Sequence, residues 1–302
     1  MLKQASLFVD EPTINPNQII NVAQVTQLSP FRYPGGKTWL IPYIKTWLSN
    51  LKDKPEYFIE PFAGGGIVSL TVAYEGLADK VIMSEIDEDV AAVWHTIFAG
   101  DVEWLIERII NFKLTAENIQ AVLLEPAKSN KEKAFQTILR NRISHGGILA
   151  PGAGIVKHGE NGKGLASRWY PQTLKKRLYI ISKLNKIITF VQGDGFDVCN
   201  QYIDNPHAVF FFDPPYTAGG KSAGRRLYTH SVIDHPKLFE LASKIPGEFL
   251  MTYEISDEVR GLAKDHHFEF KPIPMKNRRN AVMKELLISR SLEWLVPCSW
   301  SL

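Results

Sequence analysis

Hydrophobic and polar positions follow two regimes along the chain. From Tyr57 a short apolar run, YFIEPF, reads as a strand; it ends in Gly64, Gly65 and Gly66 and gives way to IVSLTVAYEG, which reads as a helix. A second strand, KVIMSEID, and a second helix, EDVAAVWHTIF, follow. Strand, turn, helix, strand and helix make a βαβα unit, which calls for a parallel sheet covered on both faces. Upstream, PFRYPGGK is a Pro/Gly turn that feeds apolar positions at helical spacing: Trp39, Leu40, Tyr43, Ile44, Trp47 and Leu48. Residues 1–28 are polar with scattered prolines and read as an N-terminal extension.

Between about 101 and 186 the alternation stops. WLIERIINF, KAFQTILRNRI and PQTLKKRLYIISKL read as helices, while GGILAPGAGIVKHGENGKG is Gly-rich and polar without a period. From Ile187 strands return in KIITFVQGD, AVFFFDPPY, EFLMTYE and VMKELLISR. The pattern predicts an α/β domain formed by residues 29–100 and 187–302, interrupted by a mostly helical insertion at 101–186.

The 302 residues, 45% hydrophobic and 22% charged, suffice for a sizeable core and exclude disordered and fibrous classes. No apolar run approaches the roughly 18 residues of a membrane span, and the start lacks the basic-then-apolar pattern of a secretory signal. Two cysteines, Cys199 and Cys298, are too few for a disulfide framework, so a reducing, cytoplasmic setting is expected. The net charge of +3 conceals an asymmetry. From Lys128 to Lys186 thirteen Lys or Arg face two acids, a balance of +11, which leaves −8 for the rest of the chain. Such a stretch is either a solvated face or a lobe that contacts phosphates.

Three motifs carry the chemistry. In Glu60-Pro61-Phe62-Ala63-Gly64-Gly65-Gly66 the glycines permit a sharp turn and close approach of backbone to a ligand, which makes Glu60, Phe62, Gly64 and Gly66 candidate contacts. Glu85 ends the next strand about twenty residues on, where an acid accepts hydrogen bonds from ribose hydroxyls. The third motif, Asp213-Pro214-Pro215-Tyr216, follows AVFFF, the signature of a central strand buried on both faces. An amine on an aromatic ring is a poor nucleophile because its lone pair is delocalised. Asp213 and the Pro214 carbonyl can accept its hydrogens, Pro215 fixes the chain direction, and Tyr216 offers a face for a base to stack on.

Other patterns drop out. GGKT at 35–38 lacks the glycine a phosphate-binding loop needs, since Phe31 stands there. Cys298 lies near the end without supporting elements. The histidines, His230, His235, His266 and His267 among them, lack ligand partners at metal spacing, so no metal is expected.

In this order, FRYPGGK, EPFAGGG, SEID, QGD and FFFDPPY resemble the Dam-like, class alpha N6-adenine DNA methyltransferases, over residues 31–100 and 188–255. The resemblance implies a Rossmann-like, S-adenosylmethionine-dependent methyltransferase sheet with an antiparallel seventh strand and an inserted DNA-recognition lobe at 101–186. It assigns Tyr33 and Lys37 to the methionine end of the donor, Glu85 to its ribose and Asp194 to its adenine, and it places the donor beside Asp213. The implied reaction is methyl transfer to N6 of an adenine flipped out of double-stranded DNA, in restriction-modification or phage DNA protection. A separate restriction endonuclease is a candidate partner, and a monomer suffices. Candidate DNA contacts are Asn141, Arg142, Lys157, Arg168, Lys175, Lys176 and Arg177 in the insertion, with Lys221, Arg225, Arg226 and Tyr228 in the glycine-rich loop after the pocket. The recognition segment leaves the DNA target sequence open. Two readings stay open at this level: an N4-cytosine methyltransferase, because either exocyclic amine poses the same problem, and an inactive sequence-specific DNA-binding protein.

Overall fold

A computed structural model describes residues 14–33, 35–156, 163–216, 230, 232–276 and 281–295. Seven strands form one sheet: β1 (Tyr57–Glu60), β2 (Lys80–Glu85), β3 (Ile188–Gln192), β4 (Ala208–Phe212), β5 (Phe249–Glu254), β6 (Glu269–Lys276) and β7 (Val282–Ser289). Their order is β3-β2-β1-β4-β5-β7-β6. The first five are parallel, and β7 inserts antiparallel between β5 and β6. This is the Rossmann-like sheet that the resemblance implies, antiparallel seventh strand included.

Alternation explains how the sheet is buried. Phe210 and Phe212 of β4 join one apolar cluster while Phe211 joins the other, so the strand sends large side chains to both faces. Ile59 and Ile82 share the cluster of Phe210; Phe58, Val81 and Met83 share that of Phe211. Over the second face lies α2 (Ile67–Tyr74), buried from Ile67 to Ala73, beside α1 (Ile41–Ser49). Its N-cap, Gly66, has φ +63° and no side chain to cap with. Glu60, from the end of β1, replaces the missing cap: its Oε2 accepts the Ser69 amide at 2.8 Å. α3 (Glu88–Phe98) is capped conventionally, by Asp87 Oδ1 accepting the Asp89 and Val90 amides.

The interval between β2 and β3 holds α3, then α4 (Val102–Asn111), α5 (Ala116–Leu124), α6 (Asn130–Ile143) and α7 (Pro171–Ser182). Their apolar faces are continuous with the main core: Ile109, Phe135, Ile138 and Leu174 lie in the same cluster as Trp94 and Met83. The insertion therefore packs as an extension of one sheet face. Among the described residues after β3 lie α8 (Gly195–Tyr202), α9 (His235–Lys244) and α10 (Asp257–Asp265). Among the described residues no helix is long and apolar enough to cross a membrane.

β6 escapes the sequence pattern. Its run EFKPIPMK carries Pro272 and Pro274, which cannot donate to a ladder, and it sits at the sheet edge, where one side needs no donors.

Candidate active site

The parallel strands end on one side of the sheet, and chain direction reverses between β1 and β4, the place where open α/β sheets leave a crevice. A cavity of about 840 Å³ lies there, within the range of small-molecule sites. The carboxylates of Glu60, Glu85, Asp194 and Asp213, each at or just beyond the end of a parallel strand, line it. Arg32, Arg142 and Arg177 line it as well.

Gly64 and Gly66 have φ +48° and +63°, the left-handed region that favours glycine. A Cβ on Gly64 would stand 2.6 Å from the Tyr33 ring, and one on Gly65 2.8 Å from Tyr33 Cβ. Tyr33 therefore packs on the turn, as does Ser29, whose Oγ donates to the Gly65 carbonyl at 2.5 Å. Burial pushes the Glu60 carboxyl up to about 8, against the pull of the Ser69 amide. Burial likewise raises Glu85 to about 7, although its Oε1 accepts the Asp87 amide at 2.9 Å. Asp194 caps α8 by accepting the Phe196 amide at 2.9 Å, and Phe196 meets Phe62 edge to face at 6.2 Å.

At the other end of the crevice, three donors converge on Asp213 Oδ1. Lys37 Nζ, the Tyr216 hydroxyl and the Thr252 hydroxyl each lie 2.9 Å away. Lys37 also donates to the Gly35 carbonyl at 2.8 Å and lies 3.4 Å from Glu285 Oε2, while its ammonium stands 4.9 Å above the Tyr216 ring. Tyr216 reaches Glu285 Oε2 at 3.0 Å and stacks on Tyr253, centroids 6.0 Å apart. The GGK lysine thus reaches the acidic motif, joining the two ends of the chain's motif set. Thr252 and Glu285 escaped the sequence reading; nothing local marks either, and only the pairing of β4 with β5 and of β5 with β7 brings them to the Asp213 cluster.

Several of the candidate DNA contacts take places that charge alone does not reveal. Asn141 is wholly buried and braces the loop before the glycine turn: it accepts from the Arg32 amide at 2.9 Å and donates to the carbonyls of Arg32 at 3.2 Å and Gly147 at 2.7 Å. Its amide is spent on backbone, which gives it a bracing place in this structure. Arg142 is 5% exposed, donates to the Pro30 carbonyl, and leaves a buried Nε without an acceptor among the described residues. Burial, reinforced by Arg177, Arg32 and Arg168, brings its guanidinium down to about 9. Arg177 donates to the Ser29 carbonyl at 2.8 Å. Lys175 and Lys176 are exposed on α7, and Arg168 is half-buried. Lys157, Lys221, Arg225, Arg226 and Tyr228 lie outside the described residues, as does Cys298. Among the described residues no group of three or more His, Cys, Asp or Glu side chains is placed to hold a metal ion.

The chain is 28% identical over 221 residues to the Type II methyltransferase M.MjaIII of Methanocaldococcus jannaschii, covering 67% of this chain and 74% of that one. Among solved structures, Pyrococcus horikoshii PH1948 aligns over 89% of this chain and 92% of its own, at 10% identity and a TM-score of 0.39. That likeness is too slight to bear on function. Residues 33–280, from the tyrosine on the glycine turn to the approach of β7, match the model of the D12 class N6 adenine-specific DNA methyltransferases, and the chain belongs to that family.

Proposed function

We propose that this adenine-specific DNA methyltransferase takes its methyl group from S-adenosylmethionine, bound over the glycine turn, and delivers it to N6 of an adenine flipped out of duplex DNA into the pocket at Asp213. The carrying observation is one cavity lined both by the four strand-end carboxylates and by Arg32, Arg142 and Arg177. The residues fit the donor: at Gly64 and Gly65 there is no room for a Cβ beside Tyr33, so the backbone of the turn stays bare, and Glu85 ends β2 where ribose hydroxyls are accepted. When bound, S-adenosylmethionine supplies an activated sulfonium methyl. Asp194 serves its adenine in this reading.

The protein's own contribution is positioning and electrostatics. Lys37, Tyr216 and Thr252 hold Asp213 by Oδ1, which leaves Oδ2 to accept a hydrogen from the target amine. The Pro214 carbonyl accepts the second, and Pro215 keeps that carbonyl in place. Both acceptors favour the amine as it loses conjugation with the ring. Flipping costs a few kcal/mol of unstacking, offset by these contacts. The helical segment 101–186 is the recognition lobe in this account, attached to a catalytic unit of residues 29–100 and 187–302, with residues 1–28 as an extension. Lys175 and Lys176 serve as phosphate contacts on its outer face.

Calorimetric titration with S-adenosylmethionine should show one site, weakened about tenfold or more by Glu85→Ala, because a charge-assisted pair of ribose bonds is worth about 1.5–3 kcal/mol. No measurable binding would overturn the donor assignment. The double change Lys175→Glu, Lys176→Glu should weaken duplex affinity and reduce its salt slope by about 2. An unaltered slope in fluorescence anisotropy would remove α7 from the DNA face.

A further inference from the structure

The Tyr216 hydroxyl has one proton and two carboxylate neighbours, Asp213 Oδ1 at 2.9 Å and Glu285 Oε2 at 3.0 Å. It can donate to only one of them. The other contact is a hydrogen bond only if a carboxyl proton is donated back to the phenol oxygen. Charge gives the same count. Lys37, itself 3% exposed, is the ammonium between the two acids, so two ionised carboxylates would leave a net negative charge in a nearly dry site, and one proton restores balance.

The acids differ in their supply of donors. Asp213 Oδ1 has Lys37 and Thr252 at 2.9 Å in addition to Tyr216, whereas Glu285 has Lys37 only at 3.4 Å. Glu285 also stands opposite Glu254 across the β5–β7 ladder, a second acid on its neighbouring strand. Asp213 lines the cavity; Glu285 is not part of its wall.

We propose that Glu285 is a positioning residue of the methyl-transfer site that carries a proton and donates it to Tyr216, committing the Tyr216 hydroxyl and the Lys37 ammonium to an ionised Asp213. Burial, foremost, holds the Glu285 carboxyl above the usual carboxylate range, with Lys37 pulling it down and Asp213 pushing it up. The chain of donors then runs one way, from Glu285 to Tyr216 to Asp213. The negative charge rests on the one carboxylate that faces the acceptor. With Glu285 absent, Tyr216 and Lys37 lose the partner that orders them, and Asp213 accepts fewer fixed bonds. The inference rests on the assignment of the methyl acceptor to the Asp213 pocket.

Glu285→Ala and Glu285→Gln test it, assayed with S-adenosylmethionine and duplex DNA beside the wild type. The glutamine amide donates where the protonated carboxyl does, so it should rescue the reaction. The expected result is a fall in kcat of about thirtyfold or more for Glu285→Ala, recovery to within about tenfold of wild type for Glu285→Gln, and donor affinity and melting temperature that stay close to wild type in both. Equal kcat for Glu285→Ala and wild type would overturn the proposal. So would Glu285→Gln as impaired as Glu285→Ala, or a loss matched by lost donor affinity or lost folding. A wild-type protein that methylates no adenine would instead refute the pocket assignment itself, which separates the two failures.

Discussion

Asp213→Ala is expected to lower kcat for adenine methylation by about a hundred- to a thousand-fold, the usual cost of removing one preorganised hydrogen-bonding group from a catalytic site. Three donors at 2.9 Å hold the Asp213 carboxylate by one oxygen, so its direction is set before substrate arrives. Truncation to alanine removes the acceptor and leaves the Lys37 ammonium facing the amine as a competing cation. Donor binding should survive within about threefold, because the glycine turn, Glu85 and Asp194 are on other strands. Single-turnover rates together with donor titration separate the two effects. A rate within threefold of wild type would remove Asp213 from the reaction.

The second large effect is expected far from any reacting atom. Gly147 has φ +77°, and a Cβ there would stand 1.9 Å from the Arg32 carbonyl oxygen, a backbone atom that cannot swing away. The same carbonyl accepts from Asn141, which also holds the Gly147 carbonyl, so the approach is bolted on both sides. Gly147→Ala combines the left-handed penalty of about 1–2 kcal/mol with that clash, for a total of roughly 3 kcal/mol or more. Thermal unfolding should shift down by roughly 5 °C or more. Because residues 29–32 lead into Tyr33, the variant should also bind S-adenosylmethionine more weakly. An unchanged melting temperature would show that the close packing of the insertion on this loop is not needed for stability.

Legibility in the sequence followed physical locality. β1, β2, β3, β4, β5 and β7 were each visible because apolar runs bounded by turn residues need only neighbouring positions to be recognised. β6 was hidden by Pro272 and Pro274, since only its edge location makes them tolerable. The motifs proposed to hold donor and acceptor were legible for the same reason as the strands: Glu60, Glu85, Asp194 and Asp213 lie at or just beyond strand ends, and parallel strands carry their ends to one side. Glu285 and Thr252 were not, because their role depends on which strands are neighbours.

Charge was the least transferable signal. The excess of basic residues between Lys128 and Lys186 suggested a lobe for phosphates, yet Arg142 and Arg177 point their bonds at the carbonyls of residues 30 and 29, and Asn141 is spent on Arg32 and Gly147. Part of the basic character of the insertion thus anchors it to the loop before the glycine turn. A count of charges cannot distinguish an arginine that meets water from one that meets a carbonyl; the difference lies in which face of a helix packs on the core. On α7 that face is drawn by Leu174, Leu178 and Ile181, leaving Lys175 and Lys176 outward.

Product analysis tests the central claim most directly. Purified protein is incubated with methyl-labelled S-adenosylmethionine and unmethylated duplex DNA, and the DNA is digested to nucleosides and separated. The account predicts label in N6-methyladenosine of the deoxy series, abolished by Asp213→Ala. Label in N4-methylcytosine, or transfer undiminished by Asp213→Ala, would contradict it.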